Sequence, residues 1–205
     1  MNYIKRNLEN VVSQVTKEYP VVLVTGPRQV GKTTMLQKLM EGTERGYVTL
    51  DDLNERNIAK TDPELFLQLH KPPVLIDEVQ YAPELFTYIK MYVDKNHEPG
   101  AFWLTGSQVF KLMRGVQESL AGRVAVLSLT SLSQAEPFTI EMEALNERKK
   151  KREEADTRGI FERIYKGSMP AIVSGANSNS QIFYSSYLST YIERDVKELS
   201  DAIDS

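Results

Sequence analysis

Tyr19-Pro-Val-Val-Leu-Val-Thr25, followed at once by Gly26-Pro27-Arg28-Gln29-Val30-Gly31-Lys32-Thr33-Thr34, decides the fold of this chain. The first segment is apolar without alternation, as a parallel strand buried on both faces requires. The second fits G-x-x-x-x-G-K-[ST] and runs into Thr33–Met40, where Met35, Leu36, Leu39 and Met40 share one helical face before Gly42. A glycine-rich loop between a buried strand and a helix N-terminus can wrap phosphate oxygens in main-chain N–H groups. Residues 26–34 are therefore the candidate nucleotide-binding residues. Lys32 serves the β- and γ-phosphates, and the Thr33 hydroxyl is a ligand for Mg²⁺. The ligand this predicts is a nucleoside triphosphate, ATP in the first place.

Outward from the loop, strand and helix patterns alternate. Strands are predicted at Tyr47–Leu50, Pro73–Ile76, Ala101–Leu104 and Val124–Leu129, and proline-led helices at Pro63–Leu69, capped by Asp62, and at Pro83–Val93. This order predicts an α/β fold with a doubly wound parallel sheet. After Ser131 strand signals stop. Residues 1–135 are expected to form the nucleotide-binding core, and 136–205 a small helical lid with the start of a linker. Ser133-Gln-Ala-Glu136 has capping-box spacing. Gly167–Pro170 and Ser174–Ser180 read as loops, and Gln181–Leu199 as a final helix carrying Phe183, Tyr184, Tyr187, Leu188 and Tyr191. That aromatic face is either lid core or a docking surface.

Three further strand ends carry chemistry. Val74-Leu75-Ile76-Asp77-Glu78 ends in two carboxylates, of which Asp77 suits Mg²⁺ and Glu78 suits orienting or deprotonating an attacking water. Gln80 either positions a phosphate or water or caps a turn. Leu104-Thr105-Gly106-Ser107-Gln108 offers two hydroxyls, Thr105 and Ser107, as γ-phosphate sensors, with a helix cap as the plainer role for Ser107. Arg123 is a helix-end cation or an arginine finger, acting in cis or on a neighbour's nucleotide. The second arrangement requires a homo-oligomer.

Composition narrows the function. Hydrophobic and charged fractions of 41% and 26% over 205 residues are those of a folded protein, and a net charge of −3 gives no broad attraction to nucleic acid. The absence of cysteine excludes disulfides, Cys-ligated zinc and thiol chemistry, and His70 and His97 match no metal-ligand spacing. No apolar run is long enough for a membrane span, and the N-terminus carries no signal core, so a cytoplasmic protein is expected. The basic run Arg148-Lys-Lys-Lys-Arg152 is bracketed by acids, favouring a salt-bridged solvated segment over a nucleic-acid contact.

GPRQVGKTT, LDD, VLIDEVQ, FWLTGSQVFKLM, ESLAGR and TYIERDV, in this order, resemble the AAA-like ATPases of the AAA+/STAND, archaeal-type group that carry a C-terminal DUF4143 domain. The resemblance covers essentially the whole chain as the N-terminal ATPase part. It implies sheet order 5-1-4-3-2, a helical lid, and ATP rather than GTP. The absence of N-K-x-D at Asp94-Lys95-Asn96 agrees with ATP. By matching position it gives nucleotide and hydrolysis roles to Lys32, Thr33, Asp77 and Glu78, and a sensor role to Ser107. It strengthens the finger reading of Arg123. Where the family shows Gly-Gly-x-Pro, this chain has Gly167-Ser-Met-Pro170. Relatives continue into a C-terminal domain that is a partner for this part. The function so implied is an ATPase acting as a molecular switch for an attached effector domain. A structural ATP-binding module with negligible turnover and a small-molecule kinase are the alternatives.

Overall fold

A computed structural model describes residues 3–133, 136 and 157–192, and these residues divide into two compact units. One contains Asn7–Pro27 and Gly31–Thr130. The other contains Arg28–Val30, the chain up to Arg6, and the described residues from Ser131 onward.

The first unit is built on five parallel strands: β1 (Val21–Thr25), β2 (Gly46–Thr49), β3 (Val74–Asp77), β4 (Phe102–Gly106) and β5 (Val124–Ser128). Their order is β2-β3-β4-β1-β5, the order the resemblance implies. Every residue of β1, β3 and β4 is buried, which is why these segments read as continuous apolar runs. The edge strands β2 and β5 are partly exposed. Helices α1 (Leu8–Val15), α2 (Lys32–Met40), α3 (Leu53–Thr61), α4 (Pro63–Leu69), α5 (Leu85–Asn96) and α6 (Val109–Ser119) make up the rest of the unit. Phe66, Phe86, Ile89 and Leu112 are fully buried in one core with Leu23, Ile76 and Leu104.

Two helices lie outside the sequence prediction. In α1 only Glu9 and Val12 are buried, and in α3 only Ala59. Asp52 nevertheless caps α3 by accepting from the amides of Asn54 and Glu55, and Asp62 caps α4 through Leu65 N at 2.9 Å. His70 lies where α3 and α4 meet. It closes the α3–α4 pair through Glu55 Oε2 at 2.7 Å and lies against the Phe66 ring.

The second unit contains α7 (Thr157–Lys166), α8 (Pro170–Val173), α9 (Ser180–Tyr187) and a π-helical turn, Leu188–Ile192. Half of the capping box at Ser133 forms: the Ser133 amide donates to Glu136 Oε2 at 2.7 Å. The other carboxylate oxygen of Glu136 takes Arg6 Nε at 3.1 Å, and both side chains are 5% exposed. Gly167 has φ +75°, a left-handed conformation that favours glycine, and a Cβ there would push aside the Tyr184 hydroxyl. The Ser168 hydroxyl bonds Ser131 Oγ at 2.8 Å. The predicted loop 174–180 gives up Ser180 to α9, and Pro170 opens a short helix. The π-helical turn replaces part of the predicted final helix. That helix beyond 192, the basic run 148–152 and the ERDV end of the last motif lie outside the described residues. Among the described residues no helix is long and apolar enough to cross a membrane.

Candidate nucleotide site

The parallel sheet brings the C-terminal ends of β1, β3 and β4 to one edge, where ligands of open α/β sheets bind. Thr25 pairs with Gly106 and Ile76 with Leu104, so the phosphate loop, the Asp77-Glu78 pair and the Thr105–Ser107 tip emerge together.

The loop's conformation explains its glycines. Gly26 has φ +138°, and a Cβ there would sit 2.0 Å from the Leu129 carbonyl oxygen. Gly31, the N-cap of α2, has φ +92°. Gln29 also adopts positive φ, at 60°. Lys32 is buried, and its ammonium donates to the carbonyls of Gly26 at 2.9 Å and Pro27 at 2.8 Å. It is thus folded back along its own loop. Thr34 follows Thr33 in the first turn of α2.

Asp77 is buried and accepts from three hydroxyls. Thr33 Oγ1 reaches Oδ1 at 2.7 Å, Thr105 Oγ1 makes a short bond to the same oxygen, and Tyr47 OH approaches Oδ2 at 3.5 Å. Burial and then the neighbouring Asp77 carboxylate push the Tyr47 phenol above its ordinary pKa. Tyr47 was not foreseen. The signal was its register, since Thr49 pairs with Asp77 and Tyr47 lies two residues earlier on the same strand face.

Glu78 has φ +56° and ψ +44°, a left-handed conformation costly for a side-chain-bearing residue. It turns the chain from β3 into a 3₁₀ turn, Val79–Tyr81, and aims its carboxylate differently from that of Asp77. Thr105 holds this corner. Its hydroxyl accepts from the Glu78 amide at 3.1 Å and donates to Asp77. Thr105 is fully buried, whereas Ser107 Oγ donates to Glu78 Oε2 at 3.4 Å. The two hydroxyls left open by the sequence thus have different jobs: Thr105 braces both acids, and Ser107 addresses Glu78. Ser107 precedes α6 but makes no cap, because Gln108 occupies that position.

Arg123 is not brought to this edge. It immediately precedes Val124, which pairs with Val21 at the opposite end of β1. Five strand residues separate that end from the loop, about 16 Å. There Arg123 clamps Asp94 with Nη2 on Oδ2 at 3.0 Å, and also donates to Ala121 O. The hydrogen bond and then the charge of Arg123 hold the Asp94 carboxyl below its ordinary range. A finger acting in cis is therefore corrected by the length of the strand.

In the second unit, Tyr187 OH donates to Arg28 O at 3.2 Å and Gln29 Nε2 to Tyr191 OH at 3.1 Å. Phe183 stacks on Tyr187 and Tyr187 meets Tyr191 at a tilt, so these rings pack within their own unit, while Leu188 remains exposed. They line a cavity of about 460 Å³ together with Gln29, Asn177 and Ile182.

The oxygens of Thr33 and Asp77 are hard donors side by side, as Mg²⁺ requires. Two neighbouring ligands of an octahedral Mg²⁺ lie about 3 Å apart, close to the spacing seen. Among the described residues no three acids or histidines cluster, and a cation held by one or two protein oxygens plus phosphates needs no such cage.

Sheet order, loop and paired acids together define a phosphate-loop ATPase fold. The chain belongs to the AAA domain family, whose family model matches residues 18–138. It is 32% identical over 181 residues to the uncharacterized proteins Rv2008c of Mycobacterium tuberculosis and Mb2031c of Mycobacterium bovis. That match covers 88% of this chain but 37% of each relative, so the chain spans little more than a third of their length. Among solved structures, the Walker-type ATPase PABY2304 of Pyrococcus abyssi matches 98% of this chain and 76% of its own, with TM-score 0.58 and 16% identity. A DNA replication initiation factor matches 82% and 57%, with TM-score 0.50 and 17% identity. At such identities these likenesses speak for the fold alone.

Proposed function

We propose that this chain binds ATP with Mg²⁺ and hydrolyses it to ADP and phosphate, and that it works as the ATPase part of a switch coupled to a further domain. The observation that carries this reading is the joint placement of Lys32, Thr33, Asp77 and Glu78 at one sheet edge.

Lys32 exchanges its bonds to the loop carbonyls for β- and γ-phosphate oxygens, with the amides of 26–34 and the α2 N-terminus completing the cradle. Thr33 and Asp77 would hold Mg²⁺, which neutralises charge developing on the phosphates when bound. Glu78 accepts a proton from the attacking water, and Ser107 reads the presence of the γ-phosphate. Arg123 belongs to the site only in trans, as a finger offered by one copy to another's nucleotide. The length of the relatives supports an additional domain as the receiver of the switch, of the DUF4143 type that the sequence resembles.

Glu78→Gln tests the reading. The variant should bind Mg-ATP with wild-type affinity and lose about 10²–10⁴-fold in turnover. No change in an already negligible rate would assign ATP a structural role, and unchanged but substantial turnover would remove Glu78 as the base.

A further inference from the structure

Gln80 lies in the 3₁₀ turn just past the paired acids and is buried at 7% exposure. Its side-chain amide donates to Glu78 Oε2 in a short bond, on the same oxygen that Ser107 Oγ addresses. Glu78 Oε1 accepts from no described residue. One oxygen of the carboxylate is thus anchored by two donors, and the other is left to meet a water. The orientation of the amide is dictated by charge, because the flipped form would set two acceptors face to face.

Two further observations separate this from ordinary packing. Gln80 Oε1 is buried and meets no donor among the described residues, a cost that a residue serving only to fill space would avoid. A Cβ at Gly106 would lie 2.5 Å from that same oxygen and 2.2 Å from Leu112 Cδ1, so the β4 tip has no room for a side chain beside Gln80.

We propose that Gln80 is a positioning residue for hydrolysis: its amide fixes Glu78 Oε2 so that Oε1 faces the attacking water. This rests on the hydrolase reading above and names a residue that reading does not use. The role of Gln80 runs through Glu78, the residue its amide holds.

The test is Gln80→Met, close in volume and without a donor, assayed for turnover, Mg-ATP affinity and melting temperature in both the wild-type and the Glu78→Gln backgrounds. In the wild-type background, kcat should fall by about 10- to 100-fold, the scale of a lost hydrogen bond to a charged group. Affinity should stay within twofold and the melting temperature should not drop. In the Glu78→Gln background the same substitution should add no further loss, because both changes remove one function. An unchanged kcat, an equal additional loss in the double variant, or a loss accompanied by lower affinity or lower melting temperature would overturn the proposal. Hydrolysis that disappears with Glu78→Gln but ignores Gln80→Met overturns this inference alone. Absence of hydrolysis in the wild-type chain overturns it together with the hydrolase reading.

Discussion

Thr33 Oγ1 and Asp77 Oδ1, from the first turn of α2 and the last residue of β3, lie 2.7 Å apart in a direct hydrogen bond. A hydroxyl from the phosphate-loop helix and a carboxylate from a strand two places away in the sheet therefore meet directly. Their meeting is enforced from behind, because Thr105 braces Asp77 from the intervening strand β4.

This pair predicts how Mg²⁺ enters binding. Asp77→Asn keeps the shape and the bond to Thr33 but removes the charge. ATP affinity measured with Mg²⁺ should fall by about 10-fold or more, on the scale of a contact to a charged group, while affinity measured in EDTA stays as in the wild type. An equal gain from Mg²⁺ in both proteins, followed by titration calorimetry, would remove Asp77 from the metal site.

The loop's backbone makes a second prediction, on stability. Gly26→Ala forces φ +138° on a side-chain-bearing residue and drives a methyl against the Leu129 carbonyl. The dihedral alone costs about 1–3 kcal/mol. Denaturation should show at least that loss, with nucleotide binding lost alongside. A wild-type denaturation curve would show that the loop tolerates a different conformation.

Much of this was legible in the sequence because its signals are local. The apolar run before Gly26, the Asp62-Pro63 helix start and the acids at the end of β3 each declare themselves within a few residues. What escaped is settled by distant partners. Helices α1 and α3 bury only Glu9 and Val12 in the one and Ala59 in the other, so no apolar core run announces them. The separation of Thr105 from Ser107 depends on β4 lying beside β3. Arg6 shows nothing in its own segment, and its role appears only where Glu136, 130 residues later, accepts its guanidinium. Arg123 misled in the opposite way. Its place just before the predicted strand Val124–Leu129 was clear, but its distance from the phosphate loop follows from the pairing of Val124 with Val21.

That register yields a third prediction. Arg123→Ala should leave turnover unchanged in dilute, monomeric protein and lower it only where copies associate, as sedimentation alongside kinetics would show. A loss at dilutions where the protein is monomeric would restore a role in cis. The same variant carries a pH signature. Since Arg123 depresses the Asp94 pKa below 3.8, their pairing stabilises the fold above that value and fades as pH falls through the depressed one. The gap in melting temperature between wild type and Arg123→Ala should therefore narrow in acid. A gap independent of pH would show that the pair contributes nothing through charge.

Binding of Mg-ATP to the wild-type chain and to Lys32→Ala, compared by titration calorimetry on folded protein, reaches the centre of the matter. If the loop 26–34 encloses a triphosphate, the wild type binds Mg-ATP and Lys32→Ala loses about 10-fold or more in affinity, as removal of a charge-assisted contact requires. No binding by the wild type, or equal binding by both proteins, would contradict a phosphate site at this loop.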